Sequence, residues 1–456
     1  MNILLLIILI IAEICFCALE LSGTVLKKEW TPRRLIVNLI EIGIYLITLF
    51  LPGIDFSFRF KALLLILCVR TVISFVFFLV QRRNEKIKKK SAIIWSAILG
   101  IMLIAFSLVP AFLFSDYRGR PVSGQYEISE RNAILIDRSR TEDHEKDGSS
   151  REVPVHFYYP ENMNEFEAHT LPLVIFSHGA FGYYQSNTST YMELASNGYV
   201  VASLDHPYHA FFTTDSAGKT IIADLSFIRT AMDVGNSEEI SETELFEITS
   251  GWMNLREADM NFVIDTIRKA VSGPVFDDSW YISESSKDDI AGIIRLIDAE
   301  HIGLMGHSLG GATAVTVGRR EDISAVIDLD GTMLGEETGV ENGKVLINEK
   351  PYTTPLLCFD SETHHNDRIE AEKTGYVYAN NVILEHAAEG YSTYIKGAAH
   401  MNFTDLPLFA PALARMLGMG SVEPEACIDQ VNALVLEFFN CYLKGTGTFA
   451  VKESYL

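Results

Sequence analysis

The chain has 456 residues, which is long for one ordinary domain and suits two or three units. Its charge is uneven: residues 1–120 carry a net charge of +8 and residues 121–456 carry −30, within a total of −22. The acidity of the larger part argues against nucleic acid as its partner. The cysteines show no metal-like spacing, so we expect neither a metal nor an organic cofactor. A disulfide among Cys358, Cys427 and Cys441 stays open.

Four apolar stretches precede residue 116, and each is close to the roughly 20 residues that cross a bilayer as a helix. A signal peptide explains the first stretch less well, because neither a basic leading segment nor a small-residue cleavage site is present. We therefore expect a four-span transmembrane domain over residues 1–115, with membrane lipids as partners. The four stretches cover residues 2–19, 35–51, 62–80 and 92–114.

The loops between these stretches predict their orientation. Four Lys and Arg residues follow the first stretch and six follow the third, but only two lie between the second and third. Basic loops stay on the cytoplasmic side, so the N-terminus and everything after residue 114 are expected on the extracytoplasmic side. Glu13 and Arg70 lie within the stretches, where charges are costly, and we expect them to pair inside the helix bundle.

After a linker and hairpin at residues 116–150, strand and helix patterns alternate through a predicted domain at residues 151–456. This alternation predicts an α/β fold, with a mostly parallel sheet whose carboxyl-terminal strand ends hold the chemistry. Residues 208–256 are polar and acidic, and are interpreted as an insertion that caps the site. Strands are predicted at 153–159, 171–177, 199–204, 302–305, 325–329, 355–359 and 391–395, and helices at 188–196, 257–271, 312–318 and 426–442.

The strongest chemical motif is Gly306-His-Ser-Leu-Gly310, which follows a short apolar strand and precedes a helix pattern. A serine at such a turn adopts a strained backbone conformation, and bulky neighbours two residues to either side would clash. Ser308 is therefore the predicted nucleophile. A serine hydroxyl attacks only after a base accepts its proton, so the chain should also supply a base and an acid that orients it.

His400 follows the last predicted strand and is the predicted base, in the chain order serine, acid, histidine that this fold uses. The residues alone leave the acid open. Asp330 ends the strand after the nucleophile strand, whereas Asp360 ends the next strand, which is the commoner position.

An oxyanion hole needs backbone N–H groups fixed near the developing negative charge. Leu309, the residue after the nucleophile, should supply one donor, and the loop at residues 178–182 after a buried strand should supply the other. Phe181, His206 and His307 stand close to these positions and are candidates for lining the substrate pocket.

Five stretches resemble the plasma or type II platelet-activating factor acetylhydrolase family of the α/β-hydrolase superfamily, and the resemblance covers residues 150–445. It implies an α/β-hydrolase fold, favours Asp330 as the acid with His400 as the base, and places the second oxyanion donor on Ala180. Thr332 departs from the family pattern, which has an aromatic residue soon after the acid. The stretches are Phe176-Ser-His-Gly179, Leu194-Ala-Ser-Asn-Gly-Tyr-Val-Val201, Gly306-His-Ser-Leu-Gly-Gly-Ala-Thr313, Leu329-Asp-Gly-Thr-Met333 and Gly397-Ala-Ala-His-Met-Asn-Phe-Thr-Asp405.

Together, the motifs and the resemblance predict a membrane-anchored serine hydrolase that cleaves lipid-like or short-acyl carboxylic esters through an acyl-enzyme. Acyl transfer and amide hydrolysis use the same residues and stay open, as does a catalytically inert membrane scaffold. Four transmembrane stretches are not part of the family's usual layout. The sequence does not indicate an oligomeric state.

Overall fold

The computed structural model describes residues 2–51, 53–117, 119–236 and 240–456. These residues form two compact units, one of Met1–Arg118 with Leu408–Leu413 and one of Gly119–Pro407 with Ala414–Leu456. The first unit is helical. Its N-terminal helices are α1 (Asn2–Leu21), α2 (Lys27–Thr48), α3 (Phe58–Gln81), α4 (Lys90–Ser107) and α5 (Val109–Leu113).

Three of the four predicted spans, in α1, α3 and α4, are helices long and apolar enough to cross a membrane. The fourth predicted span, in α2, does not meet this criterion, because the helix has 22 residues but six charged ones. Some of these charges are present because α2 contributes polar and charged side chains to the interior of the helix bundle. Helix α2 buries Arg34, Asn38 and Glu41 against its neighbours, while Ile36, Leu39 and other apolar side chains point outward.

The buried charges of this unit form one cluster. Both terminal nitrogens of Arg34 donate to the carboxylate of Glu13, each at 2.6 Å. Arg70 also donates to Glu13, and its Nη1 lies 3.2 Å from Oε2 of Glu41. The predicted pairing of Glu13 with Arg70 is therefore confirmed, within a cluster of two acids and two arginines.

The larger unit is built around one ten-stranded sheet, in the order β14-β13-β12-β9-β8-β3-β4-β2-β1-β7. The first seven strands of this order, from β14 to β4, run parallel to one another. The last three, β2, β1 and β7, each pair antiparallel with the preceding strand and form one edge of the sheet. The mostly parallel sheet was predicted and is confirmed. The strands are β1 (Ile128–Thr141), β2 (Ser150–Pro160), β3 (Leu171–Ser177), β4 (Val200–Leu204), β5 (Phe212–Thr214), β6 (Thr220–Ile222), β7 (Trp280–Tyr281), β8 (Ile297–His307), β9 (Ala325–Leu329), β10 (Glu337–Glu341), β11 (Lys344–Ile347), β12 (Leu356–Ser361), β13 (Gly390–Ile395) and β14 (Ser454–Tyr455).

The central strands β3, β4 and β9 bury every residue, which explains their uninterrupted apolar sequences. Side chains of α8, α9 and α10 join them in one apolar cluster that forms the core of the unit. The remaining helices are α6 (Thr188–Ser196), α7 (Leu225–Asn236), α8 (Glu242–Ser272), α9 (Lys287–Leu296), α10 (Leu309–Val317), α11 (Glu362–Thr374), α12 (Ala379–His386), α13 (Leu406–Phe409), α14 (Pro411–Met416) and α15 (Pro424–Lys444).

Two predicted boundaries are wrong. The linker and hairpin expected at residues 116–150 contain most of a long strand, because β1 runs from Ile128 to Thr141 and pairs antiparallel with β2. Its polar, half-buried residues hide the alternation that would have revealed a strand. Helix α8 begins at Glu242 rather than at residue 257, and the Ser241 side chain caps it by accepting the Glu244 N–H. The expected insertion at 208–256 is a hairpin (β5–β6), α7 and the first half of α8.

Candidate active site

The backbone hydrogen bonds of the sheet continue one residue beyond the ends of β8 and β9, and this brings the predicted residues together. The N–H of Ser308 donates to the carbonyl of Leu329 at 3.0 Å, and the N–H of Asp330 donates to the carbonyl of Phe359 at 3.0 Å. Ser308 and Asp330 therefore sit directly on the carboxyl ends of β8 and β9. This is the edge where parallel sheets place their chemistry.

Ser308 has φ +56° and ψ −126°, a backbone conformation that is costly for any residue with a side chain. A Cβ on Gly306 would lie 2.2 Å from the carbonyl carbon of Gly310, and one on Gly310 would lie 1.9 Å from the carbonyl oxygen of Ser177. The predicted need for glycine at both positions is confirmed. The turn leaves Ser308 immediately before the first residue of α10.

His400 follows β13, and its Nδ1 donates to Oδ2 of Asp330 at 2.7 Å. The Asp330 side chain is 1% exposed and that of His400 is 44% exposed, so the imidazole reaches out from a buried carboxylate. Burial opposes ionisation of Asp330, but the nearby His364 and the hydrogen bond from His400 hold its pKa well below the ordinary value. The carboxylate can thus fix the imidazole tautomer and stabilise an imidazolium.

Asp360, the alternative acid, faces other partners. Its carboxylate forms a buried ion pair with Arg368, and His364 Nδ1 lies 3.4 Å from its Oδ1. Of the two aspartates, only Asp330 is hydrogen-bonded to His400. The geometry therefore favours Asp330 as the orienting acid, as the family resemblance implied.

His364, which the sequence analysis did not single out, lies in the first turn of α11 beside the acid. Its Nδ1 stands between Asp330 Oδ1 at 3.5 Å and Asp360 Oδ1 at 3.4 Å. Burial opposes the charge, yet the two aspartates raise the pKa of His364. In the sequence, the signal that could have identified His364 is its position three residues beyond the end of β12.

The ligand atoms of Asp330, Asp360 and His364 lie within 4.8 Å of one another, a spacing that a metal ion would also accept. Here the two carboxylates already have cationic or hydrogen-bonding partners in His364, His400 and Arg368. The donor set is therefore accounted for by the protein's own residues.

The loop after β3 lies against the nucleophile. A Cβ on Gly179 would stand 3.1 Å from the Cβ of Ser308 and 2.9 Å from Nδ1 of His307. Only glycine allows this approach. Ala180 follows Gly179, and Leu309 follows Ser308, so the two predicted oxyanion donors flank the serine on separate elements.

Backbone hydrogen bonds fix the shape of this loop. Phe181 has φ +59°, and its N–H donates to the carbonyl of His209 at 3.1 Å. The N–H of Gly182 donates to the carbonyl of Gly179 at 3.1 Å. Among the described residues, the N–H of Ala180 has no backbone acceptor, so it is available to a ligand.

A buried arginine that the sequence did not single out holds the same loop. Arg256, on α8, is fully buried and donates from Nη1 to the carbonyl of His178 at 2.6 Å and from Nη2 to the carbonyl of Gly179 at 3.3 Å. Its Nε donates to Nδ1 of His209 at 3.3 Å. Some 77 residues of chain separate Arg256 from Gly179, so no local pattern could have linked them.

We expect Arg256→Met to lower kcat by about 10²-fold, because removing one oxyanion donor costs at least that much and this change releases the loop that carries one. Arg256→Lys keeps a positive charge but cannot bridge two carbonyls, and should lose nearly as much. Steady-state kinetics on protein whose folding is checked by circular dichroism would measure this. An unchanged kcat in either folded variant would contradict it.

Two predicted pocket residues are placed elsewhere. His206 is buried, donating to Asp259 Oδ2 at 2.9 Å and accepting from Ser177 Oγ at 2.8 Å. His307 is also buried, and its Nε2 donates to the backbone carbonyl of His400 at 3.1 Å. Neither is among the residues lining the cavity beside the nucleophile. Both imidazoles instead form buried hydrogen bonds that hold neighbouring parts of the site, His206 to Ser177 and His307 to the backbone of His400.

The cavity beside the nucleophile has a volume of about 270 Å³. Polar groups dominate its wall opposite Leu309, where the hydroxyls of Thr332 and Tyr378 lie 3.1 Å apart. Tyr378 thus brings an aromatic ring beside the position where Thr332 breaks the family pattern. The lining residues are Ser308, Leu309, Asp330, Thr332, Leu334, Ser361, Thr363, His364, Asp367, Tyr378 and His400.

Apolar side chains of the expected cap pack against Leu309, the residue after the nucleophile. Phe227 of α7 and Met253 of α8 pack with Leu309, and Phe181 joins the same cluster. The ring centroids of Phe181 and Phe227 are 5.1 Å apart. Phe181, predicted near the pocket, therefore stands between the oxyanion loop and the cap.

Asp328 lies beneath the start of α10, where a Cβ on Gly311 would meet its Oδ1 at 2.0 Å. Burial, reinforced by the charge of Asp360, raises the pKa of Asp328 well above the ordinary value. Its carboxyl is therefore neutral in the folded protein where the unfolded chain would already be ionised. This difference costs stability as the pH rises above about 4.

We expect Asp328→Asn to keep most of the activity and to remove this pH-dependent cost. As the pH rises from 5 to 8, the free energy of unfolding of the variant should increase relative to that of the parent, by up to about 1.4 kcal/mol per pH unit. Urea unfolding at the two pH values would measure it. A constant difference between the two proteins would show that Asp328 is ionised in the fold.

All six cysteines are free thiols in the structure, including Cys358, Cys427 and Cys441.

Comparison with known proteins places this site in a family. The model of "Platelet-activating factor acetylhydrolase, isoform II" matches residues 122–452. Platelet-activating factor acetylhydrolases from Cavia porcellus and Bos taurus are 24% and 25% identical over 292 and 295 residues, each covering 60% of this chain and 57% of the relative. The relative from Gallus gallus is 22% identical over 300 residues, covering 60% of this chain and 62% of its own.

The chain thus spans about three fifths of the length of these relatives. Among solved structures it is similar to a ferulic acid esterase from Streptomyces cinnamoneus, with a TM-score of 0.49, 20% identity and coverage of 72% of this chain and 93% of that one. The family match covers most of the larger unit and includes every residue of the site described above. The chain belongs to the platelet-activating factor acetylhydrolase, isoform II, family.

Proposed function

We propose that the protein is a serine hydrolase that cleaves carboxylic esters through an acyl-enzyme. One observation carries this proposal: the strained Ser308 and the His400–Asp330 pair line the same cavity. Family membership supports the ester-hydrolase class. An inert scaffold would have no need to maintain a strained serine beside a hydrogen-bonded histidine and aspartate.

In the proposed reaction, His400 accepts the proton of Ser308 as its Oγ attacks the ester carbonyl carbon. The oxyanion that forms is held by the N–H groups of Ala180 and Leu309. His400 then gives the proton to the leaving alcohol, and the acyl group stays on Ser308. Water, deprotonated by His400, releases the acid, while Asp330 stabilises the imidazolium in both halves.

The surroundings of the nucleophile suggest an amphiphilic ester with a short acyl group. The cavity of about 270 Å³ beside Ser308 is lined by polar residues and by Leu309 and Leu334, which also belong to the apolar cluster of the cap. The relatives are named platelet-activating factor acetylhydrolases. We propose an acetyl or other short-chain ester of a membrane-soluble amphiphile as substrate.

The full-length protein should release acetate from 1-alkyl-2-acetyl-glycerophosphocholine, with kcat/KM falling as the 2-acyl chain lengthens. Mass spectrometry of the products with an added acceptor alcohol separates the alternatives. Transfer of the acyl group to the alcohol without free acid would favour an acyltransferase, and cleavage of the matching amide would favour an amidase. No turnover by folded protein would favour the inert scaffold.

We also propose that all four long N-terminal helices span the membrane. Helix α2 is about 33 Å long and buries Arg34 and Glu41, so beyond the exposed Arg33 its outer face is apolar although its overall composition is not. The loops before α2 and before α4 meet in a bridge between Leu26 and Ile87, and share one end of the bundle. Their basic residues support a cytoplasmic location.

This arrangement would leave the N-terminus and the catalytic unit on the extracytoplasmic side. Protease added to intact cells that express the protein should then digest the catalytic unit and spare the two basic loops. Protection of the catalytic unit would reverse the proposed orientation.

A further inference from the structure

The helical unit contains a cavity of its own, of about 420 Å³, between α2, α3 and α4. The residues that line the cavity are apolar in one part and polar or basic in another. Ile73, Phe77, Trp95 and Leu99 form an apolar wall with largely exposed side chains. The cavity therefore opens sideways, toward the surface that lipid would cover if the unit is inserted as proposed. Its complete lining is Lys27, Trp30, Thr31, Arg34, Asn38, Arg70, Ile73, Ser74, Phe77, Gln81, Lys88, Ala92, Trp95, Ser96, Leu99, Gly100 and Leu103.

The charges that line the cavity are all positive: among the described residues, four cations and no carboxylate face it. Arg34 and Arg70, deep in the bundle, are neutralised from behind by the buried acids described above. Lys27 and Lys88, at the loop end, form no ion pair with any described residue, whereas the adjacent Lys28 pairs with Glu85 at 2.7 Å. Two uncompensated ammonium groups thus remain at the mouth.

The two lysines are held close together by the backbone. The N–H of Lys88 donates to the carbonyl of Val25 at 2.9 Å, and the N–H of Lys27 donates to the carbonyl of Lys86 at 2.9 Å. The Lys88 ammonium lies 3.8 Å from the centre of the Trp30 ring. Burial and the charge of Lys27 both lower the pKa of Lys88. Like charges pinned side by side without an acid favour binding of an anion.

Unsatisfied polar groups mark the middle of the cavity. Asn38 is buried, and its Nδ2 donates to Ser74 Oγ at 2.7 Å, but its Oδ1 has no partner among the described residues. The Nε1 of Trp30, also buried, has no acceptor within the described part of the chain. Buried polar atoms usually find partners, so a ligand with its own donors and acceptors would complete this region.

We propose that this cavity binds one acidic glycerophospholipid from the surrounding bilayer. The phosphate would lie between Lys27 and Lys88, the glycerol and ester groups near Asn38 and Trp30, and an acyl chain along the wall of Phe77 and Trp95. Arg34 lies seven residues beyond Lys27, or about 10 Å deeper along α2, so the polar region has the depth of a lipid headgroup and backbone. The proposal rests on membrane insertion of the unit, and it is independent of catalysis.

The test is native mass spectrometry of the full-length Ser308→Ala protein, which cannot cleave the probe. The probes are phosphatidylglycerol, phosphatidylcholine, oleate and inorganic phosphate. We expect one phosphatidylglycerol adduct, whose affinity falls about tenfold or more in Lys27→Gln/Lys88→Gln. The control Lys86→Gln/Lys89→Gln removes the same charge from the same end, from exposed residues outside the cavity. It should bind as the parent does.

Equal losses in the two double variants would overturn the proposal, since surface charge alone would then explain binding. Equal binding of phosphatidylcholine or oleate would also overturn it, as would full competition by inorganic phosphate. Ser96→Trp fills the cavity and keeps both lysines, so it tests the site even if the lysine variant folds poorly. The adduct should be lost there too. An adduct that persists in folded Ser96→Trp protein would place the lipid elsewhere.

Discussion

Replacing Ser308 by Ala is expected to lower kcat by about 10⁵- to 10⁶-fold, because the covalent route is lost and only the oxyanion hole and substrate binding remain. Ser308 is the residue that the elbow forces into its strained conformation, so alanine at this position removes one oxygen and little else. Hydrolysis of a short-chain ester by the full-length protein would measure the loss.

A fluorophosphonate probe supplies the matched test. The parent protein should be labelled on Ser308 and the alanine variant should not. The proposed oxyanion donors, the N–H groups of Ala180 and Leu309, belong to backbone that the change leaves intact, so the variant should still bind substrate with a similar affinity. Labelling that persists in the variant would assign the nucleophile to another residue.

Asp330→Asn should lower kcat by about 10⁴-fold, since an amide in place of the carboxylate favours the wrong tautomer of His400. The fold should tolerate the change less well than a surface substitution, because the Asp330 carboxylate also accepts the N–H of Ser361 at 2.5 Å and faces His364. Kinetics well below the melting temperature would separate the catalytic loss from unfolding.

Asp360→Asn is the discriminating control. It leaves the buried charges of Arg368 and His364 short of a partner, which should cost about 3 kcal/mol or more of stability. The folded fraction should nevertheless retain most of its kcat, because Asp360 does not touch His400. If Asp360→Asn lost activity by orders of magnitude and Asp330→Asn did not, Asp360 would be the orienting acid.

The parts of the fold that could be predicted have short-range causes. Strand β3, helix α6 and strand β9 begin and end where the sequence indicated, because a buried parallel strand requires an unbroken apolar run and Asn197-Gly198 stops the helix. The elbow was equally readable, since the glycines at 306 and 310 are dictated by contacts within a few residues.

The parts that could not be predicted depend on distant partners. Arg256 donates to the loop after β3, although most of the cap lies between them in the sequence. Arg368 forms an ion pair with Asp360, the alternative acid, and lies on a helix with no distinctive sequence pattern. The same holds for the buried charge of helix α2: the acid that neutralises its Arg34 is Glu13, which lies on another helix. Charge pairing in three dimensions decided each case, and a linear pattern does not carry that information.

Helix α8 has a consequence for engineering the enzyme. A single 31-residue helix carries Trp252 and Met253, which pack in the apolar cluster of Leu309, the residue after the nucleophile. One turn later it carries Arg256, which donates to the loop proposed to hold the oxyanion. Exchanging the cap for that of another hydrolase, in order to change the substrate range, would therefore also replace the clamp on the catalytic loop. A transplant that ends before Arg256 should keep the reaction rate, and one that continues through it should lose turnover even with a well-chosen substrate.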